Sequence, residues 1–399
     1  MIPYDEAPDE SAHFHYSVEF IVLHHRLPVA GVDDRESIQL SEHTVGGRGD
    51  TDIVYPQLNY FLSALTGVLF QRAAGWELYR GARIASLLWG LVFLNFLFLC
   101  CHDVLRDALH AAMLTFAVAF IPQILFLSSY VNSDIHSLAL SAAFSYFALR
   151  TFERPSRRHI WAWAVATGLF CSAKYNYVVY GVVFLAVLIV GYRQKRFTVQ
   201  VCRRILATSA GMALLLSGFW YLRNYRLYGD PFGLSTLRAI LVQTGALVTV
   251  DHPLTRQMFR SVAPSFAFGV FESFFAEFGR MALSLSNAEY AMLSLTITLT
   301  LGSLVLEIVE LRDRHVLRVF TGFLGFFLIN LFLLLWFSFH WDYQPQGRYL
   351  FPVLMPFSVL MAYAVRRNPG MVRYVYILCG ITAWLLMLSN AILIQKYGL

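Results

Sequence analysis

Apolar residues along this chain come in long blocks rather than in alternation. Ten of the blocks approach or reach the length that crosses a bilayer as a helix, about 20 residues with a usual range of roughly 17 to 25. They fall at residues 81–101, 108–127, 134–152, 160–173, 175–192, 205–222, 287–309, 317–338, 348–366 and 373–395. A more polar stretch at 57–70 reads as a helix lying on the membrane surface. Two longer polar segments stand apart, residues 1–56 and residues 223–286. The pattern predicts an all-α integral membrane protein with about ten transmembrane helices. An acidic extracytoplasmic segment at 1–56 precedes a multi-helix membrane domain at 57–399, which carries a long external loop at 223–286.

Composition agrees: 57% of the 399 residues are hydrophobic and 14% charged, where a soluble domain carries about 25% charged residues. The formal net charge of +6 raises the question of nucleic acid, but the basic residues sit in short clusters between apolar blocks and not on one face. They read as topology signals, because Lys/Arg-rich loops stay in the cytoplasm. The clusters are Arg150, Arg154, Arg157 and Arg158; Arg193, Lys195, Arg196, Arg203 and Arg204; Arg312, Arg314 and Arg318; and Arg366, Arg367 and Arg373. The ten predicted spans put all four on one side of a plasma membrane, with 1–56, 128–133, 223–286 and 339–347 on the other. Export of an acidic segment as long as 1–56 calls for a helix ahead of it, and Met1 is followed at once by polar sequence, so a first helix is expected to be missing. The five cysteines fall in apolar blocks or cytoplasmic loops, which implies no disulfide framework. There is no Cys-x-x-Cys, metal-type Cys/His spacing, Gly-rich phosphate loop or internal repeat.

Candidate chemistry gathers on the external side. Near the N-terminus, Asp5, Glu6, Asp9, Glu10 and His13 precede membrane sequence. In a helix, Asp9 and Glu10 would each share a face with His13. This cluster is either a solvated acidic tail, a general base that takes a proton from a hydroxyl, or a holder of a divalent cation through hard oxygen ligands. In SSYVNSDIH, Asn132 and Asp134 sit at the mouth of a span, where Asp is either a helix cap or a functional carboxylate at membrane depth. Lys174 in SAKYNY and Arg348 in YQPQGRYLFP, beside Gln346 and Tyr349, are either snorkelling anchors or a phosphate clamp. Phe271, Phe274, Phe275 and Phe278 form an apolar stripe at helical spacing, which serves as core or walls a groove for an isoprenoid chain. Trp220, Tyr221, Tyr225 and Tyr228 read as an interfacial aromatic belt.

Taken in order, APDESAHF, YPQLNYFLSAL, the Asn132/Asp134 turn, GLFCSAKYNY, SFFAEFGRM and QGRYLFP resemble the bacterial membrane family known as DUF2142. That family is similar to the GT-C glycosyltransferases, integral-membrane enzymes that use polyprenyl-phosphate sugars. The resemblance implies a GT-C-like fold whose first external loop carries the catalytic carboxylates, falling here on Asp9 and Glu10 with His13. The second-loop acid falls on Asp134, and the QGRY arginine on Arg348. Two departures stand out: no helix precedes the acidic loop, and FFAEFGRM lacks the tryptophans often found there. The expectation is an inverting transferase that moves a sugar from a polyprenyl-phosphate donor to a lipid, glycan or protein hydroxyl at the outer face. Asp9, Glu10 and Asp134 would be catalytic, and His13, Asn132, Lys174, Gln346, Arg348 and Tyr349 would bind substrate. The alternatives are a transporter or lipid flippase, which would place ionisable groups near the midplane, or an inactive membrane scaffold.

Overall fold

Each of the ten predicted blocks is helical in the computed structural model, which describes residues 2–33, 51–243, 256–341 and 343–398. Seven of the described helices are long and apolar enough to cross a membrane: Leu78–Leu105, Tyr175–Arg193, Val199–Leu216, Asn287–Leu311, Arg314–His340, Gly347–Arg367 and Pro369–Tyr397. The other three blocks differ for local reasons. Block 108–127 is split into Ala108–Ala119 and Pro122–Leu127, because proline has no N–H to continue a helix and starts one readily at its first position. Block 160–173 is the 14-residue helix Arg157–Phe170. Block 134–152 is the 20-residue helix Asp134–Glu153, and every residue from 131 to 144 is buried. Its serines, His136 and Asp134 are therefore turned to protein and not to lipid. That position explains a polarity that a lipid-facing helix could not carry.

Helix polarity separates the two ends of the bundle. Arg150, Arg193 and the pair Arg366/Arg367 occupy the last turns of their helices. Asp134, Lys174 and Arg348 lie at or just before the first turns of those same three spans. The basic clusters and the candidate site thus sit at opposite ends.

The surface helix expected at 57–70 runs Leu58–Ala74 and folds back on Leu78–Leu105. The two touch where a Cβ on Gly81 would lie 2.9 Å from Gly67 Cα. Its outer face leaves Phe61, Leu65 and Leu69 exposed, as a helix in the membrane interface requires. Segment 223–286 carries more structure than a loop. The end of Gly218–Tyr228 is followed by Leu234–Gln243, Arg256–Phe275 and a short hairpin pairing Glu277–Phe278 with Leu283–Ser284.

The phenylalanine stripe packs as core. Phe274 meets Phe351 at 5.3 Å between ring centroids, and Phe278 is buried against Phe126 at 5.2 Å. Of the readings open for the stripe, core is the one these contacts give. The aromatic belt divides. Trp220 and Tyr221 are tied inward, donating to the carbonyls of Val54 and Cys171, and only Tyr225 is well exposed.

Candidate active site

Three segments from distant parts of the chain meet at the outer ends of the helices. The first is the N-terminal strap. Asp9 sits in the left-handed backbone region at φ 58°, which aspartate tolerates better than most residues. The twist sends neighbouring side chains to different partners. The Glu10 carboxylate is fully buried and receives two parallel hydrogen bonds from Arg83, Nε to Oε1 and Nη2 to Oε2, each 2.7 Å. Arg83 also donates to the carbonyls of Ile2 and Pro3, and so clasps the strap to the Leu78–Leu105 helix. His13 is buried, with its Nδ1 2.8 Å from the Tyr60 hydroxyl and the two rings stacked.

The turn before Asp134–Glu153 is the second segment. Asn132 Oδ1 accepts from the N–H groups of Asp134 and Ile135 at 3.0 and 3.1 Å, while its Nδ2 donates to the carbonyls of Leu127 and Tyr130. Asn59 Nδ2 secures the Asn132 carbonyl at 2.5 Å. Asn132 therefore builds the turn that presents Asp134.

QGRY forms the third segment, and each of its residues has a distinct task. Gln346 Oε1 accepts from Arg348 Nε at 2.6 Å and fixes the guanidinium plane. Gly347 lies so close to the Arg256–Phe275 helix that a Cβ would fall 2.3 Å from Val270 O and Phe274 N. Its own N–H donates to Ser273 Oγ at 2.7 Å. The Tyr349 ring lies 5.5 Å from Lys174 Nζ and 5.9 Å from the Arg348 guanidinium carbon, in range for cation–π attraction.

These segments converge on Asp134. Its buried carboxylate lies between Lys174 Nζ at 3.5 Å and Arg348 Nη1 at 3.3 Å. Both cations are themselves buried. Arg348 Nη2 reaches on to Asp9 Oδ2 at 3.3 Å, and the Asp9 side chain is 60% exposed. Arg348 thus bridges a buried carboxylate and an exposed one, with Asp9 reaching it from the solvent side. An anion that displaced Asp9 would meet the same guanidinium.

Beside Arg348 a cleft is lined by Pro8, Gln123, Tyr130, Glu277, Met281 and Gln346. Glu277 and Tyr130 were not singled out from the sequence. Burial, reinforced by Glu272, raises the Glu277 carboxyl to about 7 against an opposing pull from Arg348. Arg83 was missed as well, although an arginine inside a span carried a signal, since charge at that depth demands a partner. Asp9, Asp134, Lys174, Gln346, Arg348 and Tyr349 are brought together. Glu10 and His13 are held elsewhere, by Arg83 and Tyr60. Among the described residues no three His, Cys, Asp or Glu side chains group so as to hold a metal ion.

The helical bundle and the polar centre at one end of it define a multi-pass membrane protein of the GT-C fold. Residues 32–357 match the family described as "Predicted membrane protein (DUF2142)", and the chain belongs to that family. Asp9, Glu10 and His13 precede the matched residues. A lipopolysaccharide core galacturonosyltransferase, RgtA, from Rhizobium johnstonii is 27% identical over 202 residues, 49% of this chain and 37% of that protein. The chain thus spans little more than a third of the length of that curated relative. Among solved structures, ArnT from Cupriavidus metallidurans bound to undecaprenyl phosphate superposes with a TM-score of 0.50 at 15% identity, over 98% of this chain and 68% of that one. At that identity the likeness establishes the fold.

Proposed function

We propose that the chain is an inverting glycosyltransferase that moves a sugar from a polyprenyl-phosphate donor to an acceptor hydroxyl at the extracytoplasmic face of the plasma membrane. One observation carries this reading: the buried Lys174–Asp134–Arg348 centre, with the exposed Asp9 carboxylate reaching the same guanidinium. It is supported by the relative RgtA, named a galacturonosyltransferase, and by the undecaprenyl phosphate bound to the ArnT neighbour.

In this mechanism the donor phosphate takes the place that the Asp9 carboxylate holds at Arg348. A guanidinium offers two parallel donors to phosphate oxygens, and Lys174 adds a point charge. Asp134 is the positioning anion that holds both cations in place before the donor arrives. Displaced from Arg348, Asp9 accepts the proton of the acceptor hydroxyl. The acceptor oxygen bonds to the anomeric carbon from the face opposite the phosphate. The bond from that carbon to the phosphate oxygen breaks, and its electron pair leaves with the phosphate, where the fixed cations stabilise the growing charge. The acceptor is a hydroxyl of a lipid, glycan or protein.

A divalent cation at Asp9, Glu10 and His13 does not fit the donor set. Both Glu10 oxygens are committed to Arg83, and a cation there would strand a buried guanidinium. No step is routed through one. The direct test is to incubate purified protein with a panel of polyprenyl-phosphate sugars and measure release of polyprenyl phosphate. Release with at least one donor is expected, and failure with every donor in the presence of varied acceptors would refute the reading.

A further inference from the structure

The cleft beside Arg348 is lined by a carboxyl group that the mechanism leaves unused. Glu277 begins the short hairpin after the Arg256–Phe275 helix, and its N–H is held by Gln123 Oε1 at 3.0 Å. Its Oε2 is buried and has no hydrogen-bond partner among the described residues. A buried carboxyl oxygen without a partner is costly, the more so if charged. Such an oxygen lining a cleft is a waiting hydrogen-bond site. The hairpin is also fixed to the catalytic strap, since Arg280 pairs with Asp5 through its side chain and donates through Nε to the Asp5 carbonyl at 2.7 Å. Glu277 is therefore held in register with Asp9 and not left on a free loop.

Charge is divided along the cleft. Arg348 makes one side of the cleft cationic, with Lys174 beyond it across Asp134, whereas Glu277, with Glu272 nearby, makes the other acidic. A phosphate seated on the cations would direct whatever it carries toward the acidic end.

We propose that Glu277 is the sugar-recognition residue of this site, accepting hydrogen bonds from hydroxyls of the donor sugar and selecting a neutral sugar over a uronic acid. The inference rests on the phosphate placement argued above and adds the class of sugar. A uronic acid would bring its carboxylate against the acidic end, so the chain differs here from a transferase of galacturonic acid. Because the Glu277 carboxyl titrates near 7, the ionised form gains population above that pH. Hydrogen bonds to an ionised acceptor are roughly twice as strong as neutral ones. The preference for sugar-bearing lipid should therefore rise as pH passes about 7.

The test compares binding of polyprenyl phosphate with that of polyprenyl phosphate carrying a neutral hexose or a hexuronic acid. Full-length protein and its Glu277→Ala and Glu277→Gln variants are measured on both sides of neutral pH. Wild type should bind the hexose lipid more tightly than bare lipid phosphate, and the uronic lipid less tightly than the hexose lipid. Glu277→Ala should lose roughly tenfold or more on the hexose lipid, from the hydrogen bond removed, while keeping wild-type affinity for bare lipid phosphate. Glu277→Gln should retain part of the hexose preference and lose its pH dependence. If wild type binds none of the three lipids, the transferase reading fails and this inference with it. If wild type prefers the hexose lipid and Glu277→Ala keeps that preference, or if the uronic lipid binds best, Glu277 does not read the sugar and the transferase reading stands.

Discussion

Replacing Asp9 with asparagine separates chemistry from architecture. The side chain is 60% exposed and its ion pair to Arg348 is 3.3 Å long. Pairs this exposed contribute roughly 0–1 kcal/mol, so Asp9→Asn should leave folding nearly unchanged. Its left-handed backbone at φ 58° is also well suited to asparagine. The amide cannot take up the acceptor's proton, and loss of a general base costs roughly 10²-fold or more in turnover, or about 2.7 kcal/mol of barrier. Affinity for bare polyprenyl phosphate should stay equal or rise, because the carboxylate that competes for Arg348 has gone. The assay is single-turnover release of polyprenyl phosphate by detergent-purified protein, with lipid-phosphate binding measured in parallel. Wild-type turnover by a folded Asp9→Asn protein would refute the assignment of the base. Weakened lipid-phosphate binding would refute the displacement of Asp9 by phosphate.

Other expectations follow from the same contacts. Arg348→Lys keeps the charge but loses the two-pronged donor and the Gln346 contact, so donor use should fall, and Arg348→Ala should fall further; equal turnover in all three would make Arg348 an interface anchor. Glu10→Gln should lower thermal stability by an amount on the order of 3–5 kcal/mol, since it leaves a buried guanidinium uncompensated. Paired substitution of Glu10 and Arg83 by apolar residues should recover much of that loss, and no recovery would mean the clasp is not the cause. In a cysteine-free background, Ser156→Cys and Asp230→Cys should label from opposite sides of the membrane; labelling from one side would overturn the topology read from the arginine clusters.

Single charged residues within apolar sequence pointed to the centre of the candidate site. Asp134, Lys174 and Arg348 stood out because charge near a membrane needs a reason, and all three meet. The helices were legible as blocks, except where local chemistry intervened, as at Pro122. What could not be read was pairing. Asp9 and Glu10 are neighbours in a motif, yet one faces Arg348 and the other Arg83, because the left-handed turn at Asp9 divides them. Asn132, read as a ligand, also builds a turn, since a short amide side chain satisfies local backbone as readily as a substrate. Glu277 was hidden inside an aromatic stripe whose periodicity drew attention to its phenylalanines.

The strap and QGRY also constrain the order in which this protein is made. Asp9 and Arg348 are 339 positions apart in sequence, a separation that delays their meeting during synthesis. Asp134 and Lys174 can enter the membrane far earlier. Until the Gly347–Arg367 helix is inserted, a nascent chain carries Asp9, Asp134 and Lys174 without the guanidinium that bridges the two carboxylates. A chain arrested before residue 347 is expected to sit in the bilayer without being able to engage a lipid-linked sugar. Under the proposed function, competence arrives only with the Gly347–Arg367 span.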